Sequence, residues 1–207
     1  MLINKTLIAT AIFIPAISFG LCTAQAAKLD IPSGNYVSDA AHTNLLWNIK
    51  HFGLSNYYGR FDKIEAKLDL NSSDVEKSVL HVTVDPKSVD TNYPETPNPF
   101  NEEIAGEMFF NAAKYDKITY QSTSIQLTGE KTGKVTGNLT FHGVTKPVVL
   151  DVTLNGTLPS HPMTKKPAIG FSATGVIKRS DFGVSELEGP LSDDVHLTIE
   201  AEFKPAQ

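Results

Sequence analysis

One cysteine in 207 residues is too few for a disulfide, and Cys22 lies inside an N-terminal apolar stretch. That stretch reads as an export leader: Lys5 gives the positive start, Leu7 to Leu21 the apolar run, and Ala24-Gln25-Ala26 a small-x-small cleavage site. Leu21, which precedes Cys22, is too large for a lipid-modification site. Cleavage after Ala26 would leave a cysteine-free chain, which excludes disulfides, thiolate catalysis and cysteine-based metal sites together. Long hydrophobic runs are also absent, because about 15 residues are short for a membrane span. Basic residues are the minority. Without Lys5 there are 17 basic against 23 acidic side chains, net −6, and no basic stripe of the kind nucleic acid requires. The six histidines form no His-x-His or His-x3-His pair, so a metal site has no evident donor set. The sequence predicts two parts: a cleavable signal peptide over 1–26 and a single domain over 27–207, exported to the periplasm.

What is present is alternation. In KVTGNLTFHGVTKPVVLDVTL (134–154), Val135, Gly137, Leu139 and Phe141 share one face, and after the turn Val148, Leu150, Val152 and Leu154 do the same. Period two with one apolar face marks two strands, with His142 to Pro147 supplying the turn. The same pattern recurs at Leu45/Trp47/Ile49, at Leu80/Val82/Val84, at Phe171/Ala173/Gly175/Ile177 and at Val195/Leu197/Ile199/Ala201/Phe203. Ser55 to Leu70 reads as one long or bent strand, with Gly59 as its kink or bulge. Ile118 and Tyr120 give way to Ile125 and Leu127 on the other parity, which predicts a second bulge. The interruption from Pro86 to Asp116 is predicted to hold a short helix over 101–110, with Ile104, Met108 and Phe109 on its buried side. A loop over 159–167 is expected to be exposed and mobile.

Eight strands joined mostly by short turns predict an all-β antiparallel meander closing into a barrel, which at this strand number holds either packed side chains or one ligand. Gly137, Ala173, Gly175 and Ala201 are small and face inward, which favours a ligand cavity over a filled core. The alternative is that the glycines mark bends needed for closure.

Three motifs carry a resemblance over about 36–203: Asp39 to Phe61, Thr136 to Pro147, and Arg179 to Val184, joined by the Phe-Phe-x3-Lys-Tyr segment at 109–115. Together they resemble the YceI-like family of exported polyisoprenoid-binding proteins. The resemblance implies an extended eight-stranded lipocalin-like barrel with a long apolar tunnel. It further implies that a long-chain isoprenoid, of quinone or prenyl-phosphate type, or a similar amphiphile is bound as ligand without a catalytic cofactor. Trp47, Asp116 and the 94–100 stretch depart from the family pattern and leave the tunnel entrance and headgroup preference open. Candidate lining residues are Leu45, Trp47, Leu139, Phe141, Phe171, Ile177, Leu197 and Ile199. Candidate polar contacts near the mouth are His51, Ser55, Arg179 and Asp181. Arg179 is suited to a headgroup by its planar fork, and equally to a structural pair with Asp181 or Asp39. The 86–116 segment is a candidate lid.

Two other classes fit the sequence less well. A small hydrolase would use Ser55 with His51, but on one strand these stand about 13 Å apart, and no strained elbow or oxyanion hole is apparent. A small outer-membrane barrel would turn its apolar face outward, yet the aromatics are not banded and no terminal aromatic anchor follows Phe203. A homodimer and a transient contact with a membrane or lipid donor are compatible with the carrier reading.

Overall fold

The structure, a computed structural model, describes residues 28–95, 97 and 99–206. The predicted signal peptide lies outside these residues. Ten strands follow in order: β1 (Gly34–His51), β2 (Ser55–Phe61), β3 (Ile64–Leu70), β4 (Val79–Val84), β5 (Val89–Asp90), β6 (Ile118–Leu127), β7 (Thr132–Phe141), β8 (Val144–Leu158), β9 (Ala168–Lys178) and β10 (Asp194–Pro205). One helix, α1 (Pro99–Ala105), precedes β6. Every neighbouring pair is antiparallel, and β10 returns to β1 with Leu45 opposite Ile199 and Trp47 opposite Leu197. Closure removes the open edges that a sheet of this length would otherwise present.

The ten strands make an eight-stranded barrel because two of its staves are broken. β2 and β3 both pair with β1, and β5 pairs with β2 as β4 pairs with β3. The breaks lie side by side. Asp62 N–H donates to Ser88 O, and Asp85 N–H donates to Lys63 O. Pro86 opens the 3₁₀ turn Pro86–Ser88, where its missing N–H removes a ladder bond, and the Asp85 side chain accepts from Lys87 N–H. The bend therefore falls at Asp62–Lys63 and not at Gly59. Gly59 holds regular register opposite Trp47, and its absent side chain is filled by the indole, which a Cβ there would overlap.

The predicted bulge in β6 is present between Ser122 and Ser124, and a second one interrupts β1 against β10 between Ser38 and Thr43. The β7–β8 turn is tighter than the sequence suggests. His142 and Gly143 alone form it, with φ of 50° and 78°, while Thr145 to Pro147 already belong to β8. Positive φ at both central residues matches the right-handed twist of the strands and keeps the hairpin short.

The helix ends at Ala105, five residues earlier than predicted. Gly106 N–H bonds Glu103 O, Phe110 N–H reaches back to Ile104 O, and Asn111 takes a positive φ. Ile104 and Phe109 are buried as expected, but Met108 is exposed because the turn after Gly106 swings it outward. Phe110 takes the inward place instead, with its ring against Trp47, Phe61 and Phe141.

Candidate functional site

The lumen is divided into a filled half and an open half. At the end that carries the β1–β2 and β7–β8 turns, Trp47, Phe61, Tyr120, Leu139, Phe141 and Phe182 pack as one core. Tyr120 lies over Gly137, where a Cβ would overlap the ring, and its hydroxyl donates to Val135 O at 2.9 Å and Val148 O at 3.3 Å. Burial pushes the Tyr120 phenol up to about 12. Gly175 is likewise occupied, since a Cβ there would stand 2.7 Å from Leu150 Cδ2. The glycines expected to leave ligand space thus receive neighbouring side chains instead.

This end is stoppered by the segment between β9 and β10. Phe182, Val184 and Leu191 point into the core. Arg179 pins the segment from within: it is 6% exposed, and its guanidinium donates to the carbonyl oxygens of Ser192, Val184, Glu186 and Leu191. No carboxylate pairs with it among the described residues. Asp181 faces Lys146 at 3.5 Å, and Asp39 faces His42 and Lys204, so neither expected ion pair of Arg179 forms. Four carbonyl dipoles satisfy the planar fork that the sequence offered to a headgroup. The Ser180 N–H, aided by the Ser180 hydroxyl and by Lys178 and Arg179, holds the Asp193 carboxyl below its ordinary value against the opposing effect of burial.

The opposite half is open. About 1350 Å³ of empty space, the open solvent at its mouth included, is walled by Ala66, Leu68 and Leu70 of β3, Leu80 and Val82 of β4, and Ile125 of β6. The far wall is Val135, Leu150, Leu154, Phe171, Ala173 and Ile199. At the mouth lie Leu29, Val75 and the β6–β7 turn, whose Glu130 and Lys131 are the charged residues of the lining. From Phe203 to Ile199 on β10 the wall is four residues deep, and from Leu70 to Ile64 on β3 it is six, or about 13–20 Å at the strand rise. The open space is therefore shorter than the strands themselves, because aromatic side chains fill the rest.

Of the twelve residues singled out from sequence, Leu45, Phe171 and Ile199 line this cavity. Trp47, Leu139 and Phe141 are buried in the filled half, with Ile177 and Leu197 packed against the same core. His51, Ser55, Arg179 and Asp181 stand at the stoppered end, away from the mouth. His51 and Ser55 are not 13 Å apart as a continuous strand would place them. The turn at Phe52 to Leu54 sets them directly opposite each other as a cross-strand pair. The His51 ring packs on Phe52 and Tyr57, and no hydrogen bond joins it to Ser55 among the described residues. The candidate lid is part of the stopper: Ile104, Phe109 and Phe110 pack into the filled core. The β3 wall was not singled out as a site, although the alternation of Ile64, Ala66, Leu68 and Leu70 signals an inward face.

Comparison with known proteins agrees with this architecture. The YceI-like domain model matches residues 36–203, nearly the whole barrel. The chain belongs to the YceI-like family. It is 34% identical over 201 residues to a UPF0312 protein of Pseudomonas fluorescens and 32% identical to one of Yersinia pestis, with 97% of each chain covered in both cases. Among solved structures, the Campylobacter jejuni YceI protein matches with TM-score 0.67 and 35% identity, covering 77% of this chain and 91% of that one. Burkholderia cenocepacia BcnA shares the fold at TM-score 0.70 and 23% identity, covering 80% and 98%. So does a domain described as polyisoprenoid binding, from Saccharophagus degradans, at TM-score 0.60 and 18% identity, covering 83% and 98%.

Proposed function

We propose that this YceI-like barrel is a periplasmic protein that sequesters or carries a long-chain isoprenoid, of quinone or prenyl-phosphate type, or a similar amphiphilic lipid, without covalent chemistry. The observation that carries the reading is the half-open lumen, walled by aliphatic and aromatic side chains and open at one end. An amphiphile fits this shape with its tail inside and its headgroup at the rim. Family membership and the polyisoprenoid-binding description of the Saccharophagus degradans domain support the same ligand class. The leader-like first 26 residues support export.

Each buried CH₂ contributes about 0.8 kcal/mol, so a long tail approaches the practical affinity ceiling of about −20 kcal/mol before ordering costs. Slow release and co-purification with lipid follow. With 13–20 Å of open depth, a multi-unit tail must fold back or leave part of its length at the mouth. Arg179 is engaged at the other end, and the charged residues of the cavity lining are Glu130 and Lys131, which supports a headgroup position at the Glu130–Lys131 turn. The test is native mass spectrometry of protein purified from the periplasm without detergent, followed by extraction and lipid identification. A stoichiometric prenyl lipid, quinone or related amphiphile is expected. An empty barrel that also refuses added long-chain lipids would sink the carrier reading.

A further inference from the structure

The open end carries a feature that lumen binding does not use. β7 pairs with β8 only as far as Thr153, so the hairpin from Leu154 to Ala168 projects past β7 at the mouth of the cavity. Its loop has a fixed shape. His161 N–H donates to Lys166 O and Lys165 N–H donates to His161 O, both at 2.8 Å, while Met163 and Thr164 N–H groups reach His161 Nδ1 at 3.3 and 3.4 Å. The result is an outward-facing methionine, 84% exposed, with Leu158 at 45% exposure at the hairpin base. Lys165 and Lys166 are exposed beside it, and the 159–167 loop has no acidic residue.

The charge of the rest of the molecule makes this end distinctive. At the stoppered end, residues 85–117 hold seven acidic against three basic side chains, and residues 178–194 hold five against two. The excess negative charge thus gathers at the stopper, whereas the mouth mixes both signs, with Asp30 accepting from the Thr157 hydroxyl and Glu130 beside Lys131, and the hairpin tip is free of carboxylates. An anionic surface would repel the stopper and attract the hairpin, orienting the cavity toward that surface.

We infer that the open end docks on anionic phospholipid bilayers, with Met163 entering the interfacial region and Lys165 and Lys166 facing lipid phosphates. Juxtamembrane lysines are drawn to anionic leaflets within a Debye length, and one exposed apolar side chain adds a shallow anchor. Such docking is weak, salt-sensitive and reversible, as a protein that exchanges lipid with a membrane requires. The inference rests on the carrier reading for its purpose, but its test does not depend on what fills the lumen.

A second apolar surface supplies the internal control. Phe52 and Leu54 are 56% and 87% exposed at the β1–β2 turn, close to Pro190 and to the acidic Glu186 and Glu188. Protein lacking the 26-residue leader, upstream of all ten strands, is floated with phosphatidylcholine vesicles with and without phosphatidylglycerol. The unmodified chain should float with the anionic vesicles and be released by salt. Met163→Glu, which replaces the apolar anchor with a repulsive charge, and the double change Lys165→Glu/Lys166→Glu, which removes two attractive charges and adds two repulsive ones, should each lower the bound fraction about tenfold or more. Leu54→Glu should leave binding unchanged. Absence of anionic flotation, indifference to both hairpin variants, or loss through Leu54→Glu alone would overturn the inference. Lipid extracted from the same preparations separates the two readings: an empty lumen with docking intact sinks the carrier alone, and a loaded lumen without docking sinks only the docking.

Discussion

The two halves of this barrel are built from the same alternating strands, yet one is solid and the other hollow. Strands β1 and β6 to β10 run through both, so strand pattern alone cannot set the difference. In the filled half, large side chains come from three sources: the strands themselves (Trp47, Tyr120), the segment after α1 (Phe109, Phe110) and the stopper (Phe182). In the open half, most inward positions are aliphatic or small, among them Ala66, Ala173 and Ala201, with Phe171 and Phe203 along the wall, and Leu29 and Ile31 pack at the mouth without filling the space. A barrel of eight strands stands at the width where either outcome is available. Here the inserted segments decide which end is closed.

The sharpest way to break the contrast is to remove the pin of the stopper. Arg179→Ala leaves four carbonyls without their donor, those of Val184 and Leu191 buried and those of Ser192 and Glu186 half-buried. It should cost about 3 kcal/mol or more, read as a fall in the urea midpoint. Arg179→Lys should recover only part of this, because an ammonium cannot span four acceptors in one plane. If Arg179→Ala unfolds at the same urea concentration as the unmodified chain, the stopper does not depend on the clamp.

Adding carbon should have opposite consequences in the two halves. Gly59→Ala places a methyl into the Trp47 indole, and overpacking of this kind costs about 1–3 kcal/mol. Ala201→Phe extends a side chain from a cavity-lining position toward the open space. It should cost less stability than the about 1–3 kcal/mol of overpacking, while bound lipid falls about tenfold or more. Gly175→Leu is the instructive failure. The position faces inward and reads from sequence as a natural plug site, but Leu150 already occupies the space, so the change should destabilise the fold before it blocks a ligand. Urea titration and lipid extraction of the three variants side by side decide the point.

Tyr120→Phe sharpens the comparison at lower cost. The phenol bridges β6 to β7 and β8 through two carbonyl acceptors beside the boundary between the halves. Its loss should cost about 1 kcal/mol, the usual net worth of a buried hydrogen bond. Lipid content should not change, since Tyr120 does not line the cavity. A loss of lipid in a stable variant would mean that the boundary moves with the ring.

Alternation made the meander, the inward faces, the β6 bulge and the closure legible in advance, because period two is a local property of each strand. Leu45, Phe171 and Ile199 lie on the cavity wall, where their inward parity points them. Trp47, Leu139 and Phe141 share the same inward parity but stand in the filled half, and parity carries no information about depth along the barrel. The glycines misled for a related reason. An inward glycine leaves space, but whether a ligand or the next strand's Trp47, Tyr120 or Leu150 takes it depends on cross-strand register. Arg179 was recognisable as important from its motif, while its partners are main-chain carbonyls, which no side-chain pattern reveals. His51 and Ser55 show the cost of reading a turn as strand: one tight turn converts a predicted separation of about 13 Å into a facing pair.

The smallest effect should appear in acid, again on the stoppered side. The Ser180 N–H chiefly, with the Ser180 hydroxyl and the nearby Lys178 and Arg179, depresses the Asp193 carboxyl below its ordinary value of 3.8. A carboxyl depressed in the folded state binds fewer protons there than in the unfolded chain. Its contribution is therefore fully present above the unfolded value and is lost as pH falls from near 3.8 through the lower folded value. Asp193→Asn keeps an oxygen acceptor for Ser180 but removes the titration. Its stability–pH curve should be flatter than that of the unmodified chain below about pH 4, where the ordinary carboxyl titrates. At neutral pH the variant should be slightly less stable, because a charged acceptor makes the stronger hydrogen bond. Identical slopes in the two proteins would show that Asp193 titrates alike folded and unfolded, and that the stopper is held by Arg179 and its apolar contacts alone.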